Sequence, residues 1–234
     1  ILIPTSESAS MMFFSRLMVN HKKHSLIHGC ETSKTLVVKT LLDNILPQKK
    51  FDCRVLPFSH CSTSTNVVKI FRSFLQKRHG ALGPLKDMEM VVFIDNLNSV
   101  EPDLYGSQPP LELVRQLFDY GGWYDTSKVE FQKVVDTTVI SAMGPRGGGL
   151  YDIPERLLRH FFYINVPKLS KNSMTTIIST LMTTQMANFS SAVNELNRST
   201  VSAFLDIFEK CSQFLLPIPS KLHYIFSLRN IIRV

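Results

Sequence analysis

A lysine followed by a threonine, Lys34-Thr35, stands where a β-rich run ends and a helical pattern begins. Backbone N–H groups at a helix N-terminus point toward an anion, and the helix dipole favours negative charge there. In a phosphate-binding loop (P-loop) the lysine reaches the phosphates and the hydroxyl ligates Mg²⁺. We therefore predict a nucleotide-phosphate site in this turn. Its predicted residues are Gly29, Cys30, Glu31, Thr32, Ser33, Lys34 and Thr35.

The turn departs from the P-loop pattern GxxxxGK[ST] at both glycine positions. His28 and Ser33 stand there instead, although glycine is the residue that permits positive φ and a close approach of backbone to phosphate. Glu31 adds a carboxylate beside the expected phosphates. Taken alone, the stretch also fits an ordinary strand-to-helix turn, so both interpretations stay open at this point.

A second candidate feature is an apolar run, 91–94, that ends in Asp95. In nucleotidases such a strand places its carboxylate on the hydration shell of Mg²⁺, so we predict Thr35 and Asp95 as the metal-associated pair. The next residue should be the carboxylate that orients water, but it is Asn96. An amide cannot act as a general base, and losing a positioned base costs ~10²–10⁴-fold in rate. We therefore assign no catalytic residue in this chain. The alternative role for Asp95 is a cap at a strand-to-loop turn.

The elements that would position these residues alternate between strand-like and helical patterns. β-rich runs lie at 25–27 and 51–58, and continuous apolar runs, which are typical of strands buried on both faces of a parallel sheet, lie at 90–94 and 137–142. Helical patterns between them predict an α/β fold. They cover 34–45, 67–74 and 109–120, and residues 123–135 suggest a hairpin.

The pattern changes after Pro167, where helical segments follow one another without strands. They lie at 170–186, 200–214 and 223–234. We therefore predict an α/β core over residues 1–167 and a small helical lid over residues 168–234. The aromatic run Phe161-Phe162-Tyr163 before the boundary reads as part of a core strand rather than as a ligand site.

Composition limits the other function classes. The chain has 234 residues, a net charge of +7 and 44% hydrophobic residues. Its basic balance fits a phosphate ligand and scattered surface charges better than a nucleic-acid partner. It has four cysteines without CxxC spacing, which argues against a zinc site, and no apolar run long enough for a membrane span. The chain starts without Met and reads as part of something longer.

Several stretches together resemble the motor ring of dynein heavy chains. They are 93–98 (FIDNLN), 105–116 (YGSQPPLELVRQ), 121–125 (GGWYD), 142–149 (AMGPRGGG), 156–161 (RLLRHF) and 223–230 (HYIFSLRN). The resemblance covers nearly the whole chain, and the 105–125 stretch is its most specific part. The sequence of these stretches is most similar to the third AAA+ module of an axonemal-type heavy chain.

The resemblance implies an AAA+ P-loop core with a parallel sheet flanked by helices, a helical lid, and ATP or ADP with Mg²⁺. It implies that Arg229 senses the γ-phosphate from the lid. It also implies that Arg156 or Arg159 is an arginine finger in the site of an adjacent module, although a salt bridge is the alternative role for either. The implied partners are adjacent AAA+ modules, microtubules through other parts of the protein, and dynein intermediate and light chains, with no nucleic acid and no membrane. The implied location is the cytoplasm and cytoskeleton, in a ciliary or flagellar axoneme.

Three functions compete at this point. The first is a regulatory module that binds nucleotide with weak or absent hydrolysis inside an ATP-driven motor. The second is a nucleotide-free structural module that couples its neighbours, which the missing glycines and Glu31 favour. The third is a free-standing P-loop ATPase or kinase, which the dynein-like stretches disfavour.

Overall fold

The structure is a computed structural model that describes residues 2–29, 33–46, 50–78, 80–85, 87–125, 129–147, 149–216, 218, 220–221, 224 and 226–233. Two compact units divide the chain. One consists of Met11–Val166, and the other combines Ile1–Ser10 with Pro167–Val234. The functional assignment of residues 168–234 as a lid stays a prediction.

A parallel sheet of five strands forms the centre of the larger unit. Its strands are β1 (Ser25–Gly29), β2 (Phe51–Pro57), β5 (Glu89–Asp95), β8 (Thr137–Met143) and β9 (Phe162–Val166), in the order β2-β5-β8-β1-β9. β5 lies inside the sheet, and its residues Met90 to Ile94 are fully buried. The continuous apolar run correctly predicted this strand, and the α/β AAA+ P-loop fold is confirmed.

Helices connect and cover these strands. In the larger unit they are α2 (Lys34–Thr40), which continues as a π-helix over Leu41–Ile45, α3 (Ser64–Ser73), α4 (Pro109–Tyr120) and α5 (Glu155–Leu158). A further helix, α1 (Ser6–Asn20), precedes β1 and was not predicted. α4 begins at two prolines and ends at Gly121, which adopts φ 66°. Its predicted bounds are therefore confirmed, because proline suits a first turn and glycine a left-handed C-cap.

Two short antiparallel hairpins complete the larger unit. They are β3–β4 (Gln76–Arg78 and Ala81–Gly83) and β6–β7 (Gly122–Asp125 and Glu130–Lys133). The second hairpin was predicted, and contacts of its own buried residues hold it in place. Asp125 accepts hydrogen bonds from Arg72 at 3.0 Å and from Gln132 at 2.9 Å, while the Trp123 ring contacts Phe71 edge-on.

The prediction for the aromatic run before Pro167 was only partly right. Phe161 is buried, but Phe162 and Tyr163 are 48% and 46% exposed. The reason is the position of β9, which pairs only with β1 at the edge of the sheet. On α3, Val67 and Phe71 are buried, whereas Ile70 is exposed.

The second unit is helical, although its last helix begins at Leu228, later than the predicted residue 223. It contains α6 (Lys171–Met186), α7 (Ser191–Glu195), α8 (Asn197–Phe214) and α9 (Leu228–Arg233). Its core is apolar and consists of Ile178, Val201, Leu205, Leu228 and Ile231. Glu7 accepts hydrogen bonds from Ser170 and Ser173 at the start of α6. Among the described residues, no helix combines the length and apolarity that a membrane crossing needs.

Candidate functional site

The candidate site lies where β1 ends and α2 begins. β1 runs between β8 and β9 and ends at Gly29. Cys30, Glu31 and Thr32, which we predicted as nucleotide-binding residues, lie outside the described part of the chain. The geometry of the candidate site therefore rests on Gly29 and on the residues from Ser33 onward.

Ser33 adopts the left-handed conformation, with φ 55° and ψ 26°, immediately before α2. Its carbonyl accepts the Val37 N–H at 3.0 Å, which starts the helix. A left-handed conformation costs a residue with a side chain about 1–2 kcal/mol. The backbone at the second glycine position of the P-loop pattern thus keeps the shape that glycine favours, although the residue is serine.

The ammonium group of Lys34 folds back over the turn. Its Nζ donates a hydrogen bond to the Gly29 carbonyl at 2.5 Å. This bond joins the end of β1 to the first residue of α2. Lys34 is half-buried, so the cation sits at the turn rather than extending into solvent.

The two predicted Mg²⁺-associated residues lie side by side. Thr35 Oγ1 donates a hydrogen bond to Asp95 Oδ1 at 3.0 Å. A hydroxyl has one donor and two acceptor lone pairs, so this bond leaves the threonine oxygen able to ligate a cation. Within the described residues no three His, Cys, Asp or Glu side chains cluster as metal ligands. Mg²⁺ is nevertheless compatible, since it is usually held by one or two protein groups together with phosphates and water.

Asn96 follows Asp95 and is exposed, with φ 54° and ψ 52°. Asparagine tolerates this left-handed conformation better than most residues with a side chain. Its carbonyl accepts hydrogen bonds from the Ser99 N–H at 2.9 Å and the Ser99 hydroxyl at 2.8 Å. The position predicted for a catalytic carboxylate is therefore the corner of a tight turn that carries an amide.

Asn98, in the same turn, was not singled out from the sequence. It is 2% exposed. Its Nδ2 donates to the Gly144 carbonyl at 3.0 Å, and its own carbonyl accepts the Tyr151 N–H at 2.8 Å. The sequence signal was a polar residue beside the buried Leu97, but its partners could not be inferred from the pattern.

The two candidate fingers have different surroundings. Arg159 donates to Asp119 Oδ1 at 2.7 Å, whereas the guanidinium of Arg156 is 3.9 Å from Glu112. Arg115 bridges the two acids, since it pairs with both Glu112 and Asp119. Burial would raise the pKa of Asp119, but hydrogen bonds from Arg159 and Arg115 hold that pKa below its ordinary value.

A cleft of about 630 Å³ opens on the same unit. The loops after β5 and β8 and the starts of α4 and α5 form it. Its lining includes Tyr105, Gln108, Glu112, Arg146, Tyr151 and Arg156. None of the described residues of the phosphate-binding turn lines this cleft, so it is a feature distinct from the Lys34–Asp95 region.

The structure brings together Gly29, Lys34, Thr35 and Asp95, through the two hydrogen bonds described above. Arg229 lies exposed on α9 of the second unit, and its predicted role stays a prediction. The nucleotide-binding roles of Asp95 and of all the turn residues are likewise predictions.

Known dynein proteins are similar to this chain in sequence. Residues 1–169 match the family model described as the P-loop containing dynein motor region. The chain is 34% identical over 99% of its length to dynein axonemal heavy chain 6 of Homo sapiens. It is 36% identical over its full length to dynein axonemal heavy chain 12 of Rattus norvegicus. It spans only 6% and 8% of those two relatives.

A solved structure of NtrX from Brucella abortus in complex with ADP is also similar. The likeness has a TM-score of 0.46 and 13% identity, and covers 80% of this chain and 43% of that one. This TM-score is too low to support an argument about fold or ligand.

Proposed function

Because the chain belongs to the family of P-loop containing dynein motor regions, we propose that it is a regulatory AAA+ module of an axonemal dynein heavy chain. It binds ATP or ADP with Mg²⁺ and hydrolyses ATP weakly or not at all. The observation that carries the proposal is the Thr35–Asp95 hydrogen bond of 3.0 Å. It joins the two residues that we predicted to hold Mg²⁺ with the nucleotide, in a parallel sheet of the P-loop fold.

Lys34 is the phosphate-binding residue in this proposal. Its ammonium group already points across the turn to the Gly29 carbonyl, and a phosphate oxygen is a stronger acceptor for a cation than a neutral carbonyl is. Lys34 would hold the nucleotide phosphates in place of this carbonyl. Thr35 and Asp95 would hold Mg²⁺, which would neutralise charge on the phosphate groups.

Hydrolysis is weak in this proposal because of Asn96. An attacking water needs a group that can orient it and accept its proton, and the Asn96 amide cannot accept that proton. The exposed position of Asn96 in a tight turn also leaves it in contact with bulk water. The module therefore retains bound nucleotide, which suits a sensor better than a motor site.

The module also acts on an adjacent one through its arginines. Arg156 or Arg159 supplies positive charge to the neighbouring nucleotide site, and such a finger is worth ~10³–10⁵ in rate in related nucleotidases. The ion pair between Arg159 and Asp119 at 2.7 Å and the looser contact of Arg156 favour Arg156 for this role. Arg229 senses the γ-phosphate from the second unit.

The whole protein supplies the remaining functions. The relatives are named as axonemal heavy chains, so we place this module in a microtubule-based motor of a cilium or flagellum. Its direct partners are adjacent AAA+ modules of the same chain. Microtubules, intermediate chains and light chains bind other parts of the protein.

One observation favours a second function, a nucleotide-free structural module that couples its neighbours. The Lys34 ammonium group has an acceptor within the protein, the Gly29 carbonyl, so its position does not require a phosphate. A module of this kind couples its neighbours without nucleotide.

The two functions are separated by nucleotide titration of the full-length protein. The variants are Lys34→Ala and the matched control Lys39→Ala, which removes an exposed lysine from the same helix. The proposal expects Lys34→Ala to bind one nucleotide fewer per chain in the presence of Mg²⁺, and Lys39→Ala to match the unaltered protein. Equal stoichiometry in all three proteins would support the structural module.

A further inference from the structure

Asn98 connects the end of β5 with a glycine-rich segment, defined here as residues 144–151, of which Gly148 is outside the described residues. Its side chain binds the first residue of the segment, Gly144, and its main chain binds the last, Tyr151. A single residue thus holds both ends of the segment. Asn98 lies only three positions after Asp95, whose carboxylate accepts the Thr35 hydroxyl.

In the part of the glycine-rich segment that the structure describes, the other contacts lie mostly at the surface. Gly147 and Leu150 exchange two backbone hydrogen bonds of 3.1 Å, and Arg146 pairs with Asp152 at 2.7 Å on an exposed surface. Gly147 and Gly149 adopt φ of 113° and 86°, with open space around both. An exposed ion pair contributes little, so the buried contacts of Asn98 are the strongest constraint described on this segment.

The Asn98 side chain is also incompletely satisfied. Its Oδ1 is buried and has no hydrogen-bond partner among the described residues. A buried acceptor without a partner is costly, and here it lies in the residue that links β5 to the segment.

We infer that Asn98 is a positioning residue that couples the Asp95 end of β5 to the order of the glycine-rich segment. Because Arg146, Leu150 and Tyr151 line the cleft of about 630 Å³, a change at Asp95 also changes the cleft wall. The inference rests on the proposed function only in placing Asp95 at the nucleotide site. A structural change at that site then reaches the cleft surface through residues 96–99, which form one turn.

Hydrogen exchange in a double-mutant cycle tests the coupling without added nucleotide. The full-length protein is compared with Asp95→Ala, Asn98→Ala and the double variant, and the readout is amide exchange across residues 144–151. We expect Asp95→Ala to accelerate this exchange roughly fivefold, which corresponds to the loss of one hydrogen bond between Asn98 and the segment. In the Asn98→Ala background, Asp95→Ala should have no further effect. A merely structural role for Asn98 would leave the effect of Asp95→Ala the same in both backgrounds, which overturns the inference.

Two further variants serve as a control and as a substitute for Asn98→Ala. Ser73→Ala removes an exposed hydroxyl that binds the Ile70 carbonyl within α3, outside turn 96–99 and the segment, so it should leave the coupling intact. Asn98→Asp keeps the size of the side chain but removes the donor to Gly144, and should abolish the coupling if Asn98→Ala fails to fold. Nucleotide titration of the same proteins tests the proposed function separately, since the exchange cycle contains no nucleotide.

Discussion

The hydroxyl of Thr35 donates a hydrogen bond to the carboxylate of Asp95 at 3.0 Å, although 60 positions separate the two residues. In the sheet order, β8 lies between β1 and β5. All three strands are parallel, so the start of α2 after β1 and the last residue of β5 meet at the same edge of the sheet. Ligands of open α/β sheets bind at that edge, outside the carboxyl ends of the strands.

The Thr35–Asp95 pair leads to the first prediction, which concerns Thr35→Val and Thr35→Ser. Valine has a similar shape but lacks the oxygen, whereas serine retains it. A hydrogen bond to a charged group is worth about 1.5–3 kcal/mol, so Thr35→Val should weaken Mg²⁺-dependent nucleotide binding roughly 10- to 150-fold. The measurement is titration with Mg²⁺ and with a chelator. Equal affinity in the valine and serine variants would contradict the metal role.

Ser33→Gly tests the strained corner of the phosphate-binding turn. Glycine adopts φ near 55° without the steric cost that Ser33 bears. We expect the free energy of unfolding to rise by about 1 kcal/mol, and nucleotide binding to tighten. Chemical denaturation and nucleotide titration measure the two effects. Ser33→Ala is the control, because it removes the hydroxyl but keeps the Cβ, and a gain in that variant equal to the gain in Ser33→Gly would refute the strain argument.

Asn96→Glu tests whether the missing carboxylate limits hydrolysis. The side chain at this position is exposed, so glutamate can be accommodated, although the left-handed conformation costs it about 1–2 kcal/mol. We expect ATP turnover at this site to rise at least about tenfold, below the ~10²–10⁴ that a well-placed base supplies. Asn96→Gln has the same shape without the charge. Single-turnover hydrolysis at this site should therefore distinguish the two variants, and equal rates would mean that another step limits turnover.

The sequence predicted those elements whose signals are local. β5 follows from a continuous apolar run, and α4 from prolines at one end and a glycine at the other. α1 was missed because its apolar residues are contiguous rather than spaced, and Phe13 is 64% exposed. The β3–β4 hairpin was missed because each strand has three residues, too few to show alternation.

Some residues of the candidate site were likewise predictable from local sequence signals, and others were not. Lys34, Thr35 and Asp95 were predictable from residue type and from their place beside strands. The role of Asn98 was not, because its partner Gly144 lies 46 positions away and the contact depends on the neighbouring positions of β5 and β8 in the sheet. The positive φ of Ser33 was also hidden, since serine carries no local preference for that conformation.

Arg156→Ala and Arg159→Ala should have different effects. Arg159 is tied to Asp119 at 2.7 Å, while Arg156 is 73% exposed in its side chain and lies 3.9 Å from Glu112. We expect Arg156→Ala to lower ATP turnover at the adjacent module by at least about tenfold, given the worth of such fingers, with little change in melting temperature. Arg159→Ala should instead lower the melting temperature. Lower turnover from Arg159→Ala alone, without destabilisation, would reverse the assignment.

The last prediction concerns pH and His24. Its Nδ1 accepts the Val139 N–H at 3.1 Å, and its ring stacks on Phe118 with centroids 4.0 Å apart. Burial, followed by the positive charges of His160 and Lys23, lowers the pKa of His24 from 6.5 to about 4. The folded protein therefore holds His24 neutral, whereas the unfolded chain binds a proton below about pH 6.5.

Between these two pKa values the unfolded state binds more protons, so the free energy of unfolding rises with pH. The contribution of His24 is complete above pH 6.5 and is lost as pH falls toward 4, with an upper limit of about 3 kcal/mol. His24→Gln keeps an acceptor but does not titrate. Urea unfolding at pH 7.5 and 4.5 should show a smaller loss of stability in His24→Gln than in the unaltered protein. His21→Gln, which replaces an exposed histidine, should behave like the unaltered protein, and equal losses in all three would exclude His24 as the titrating group.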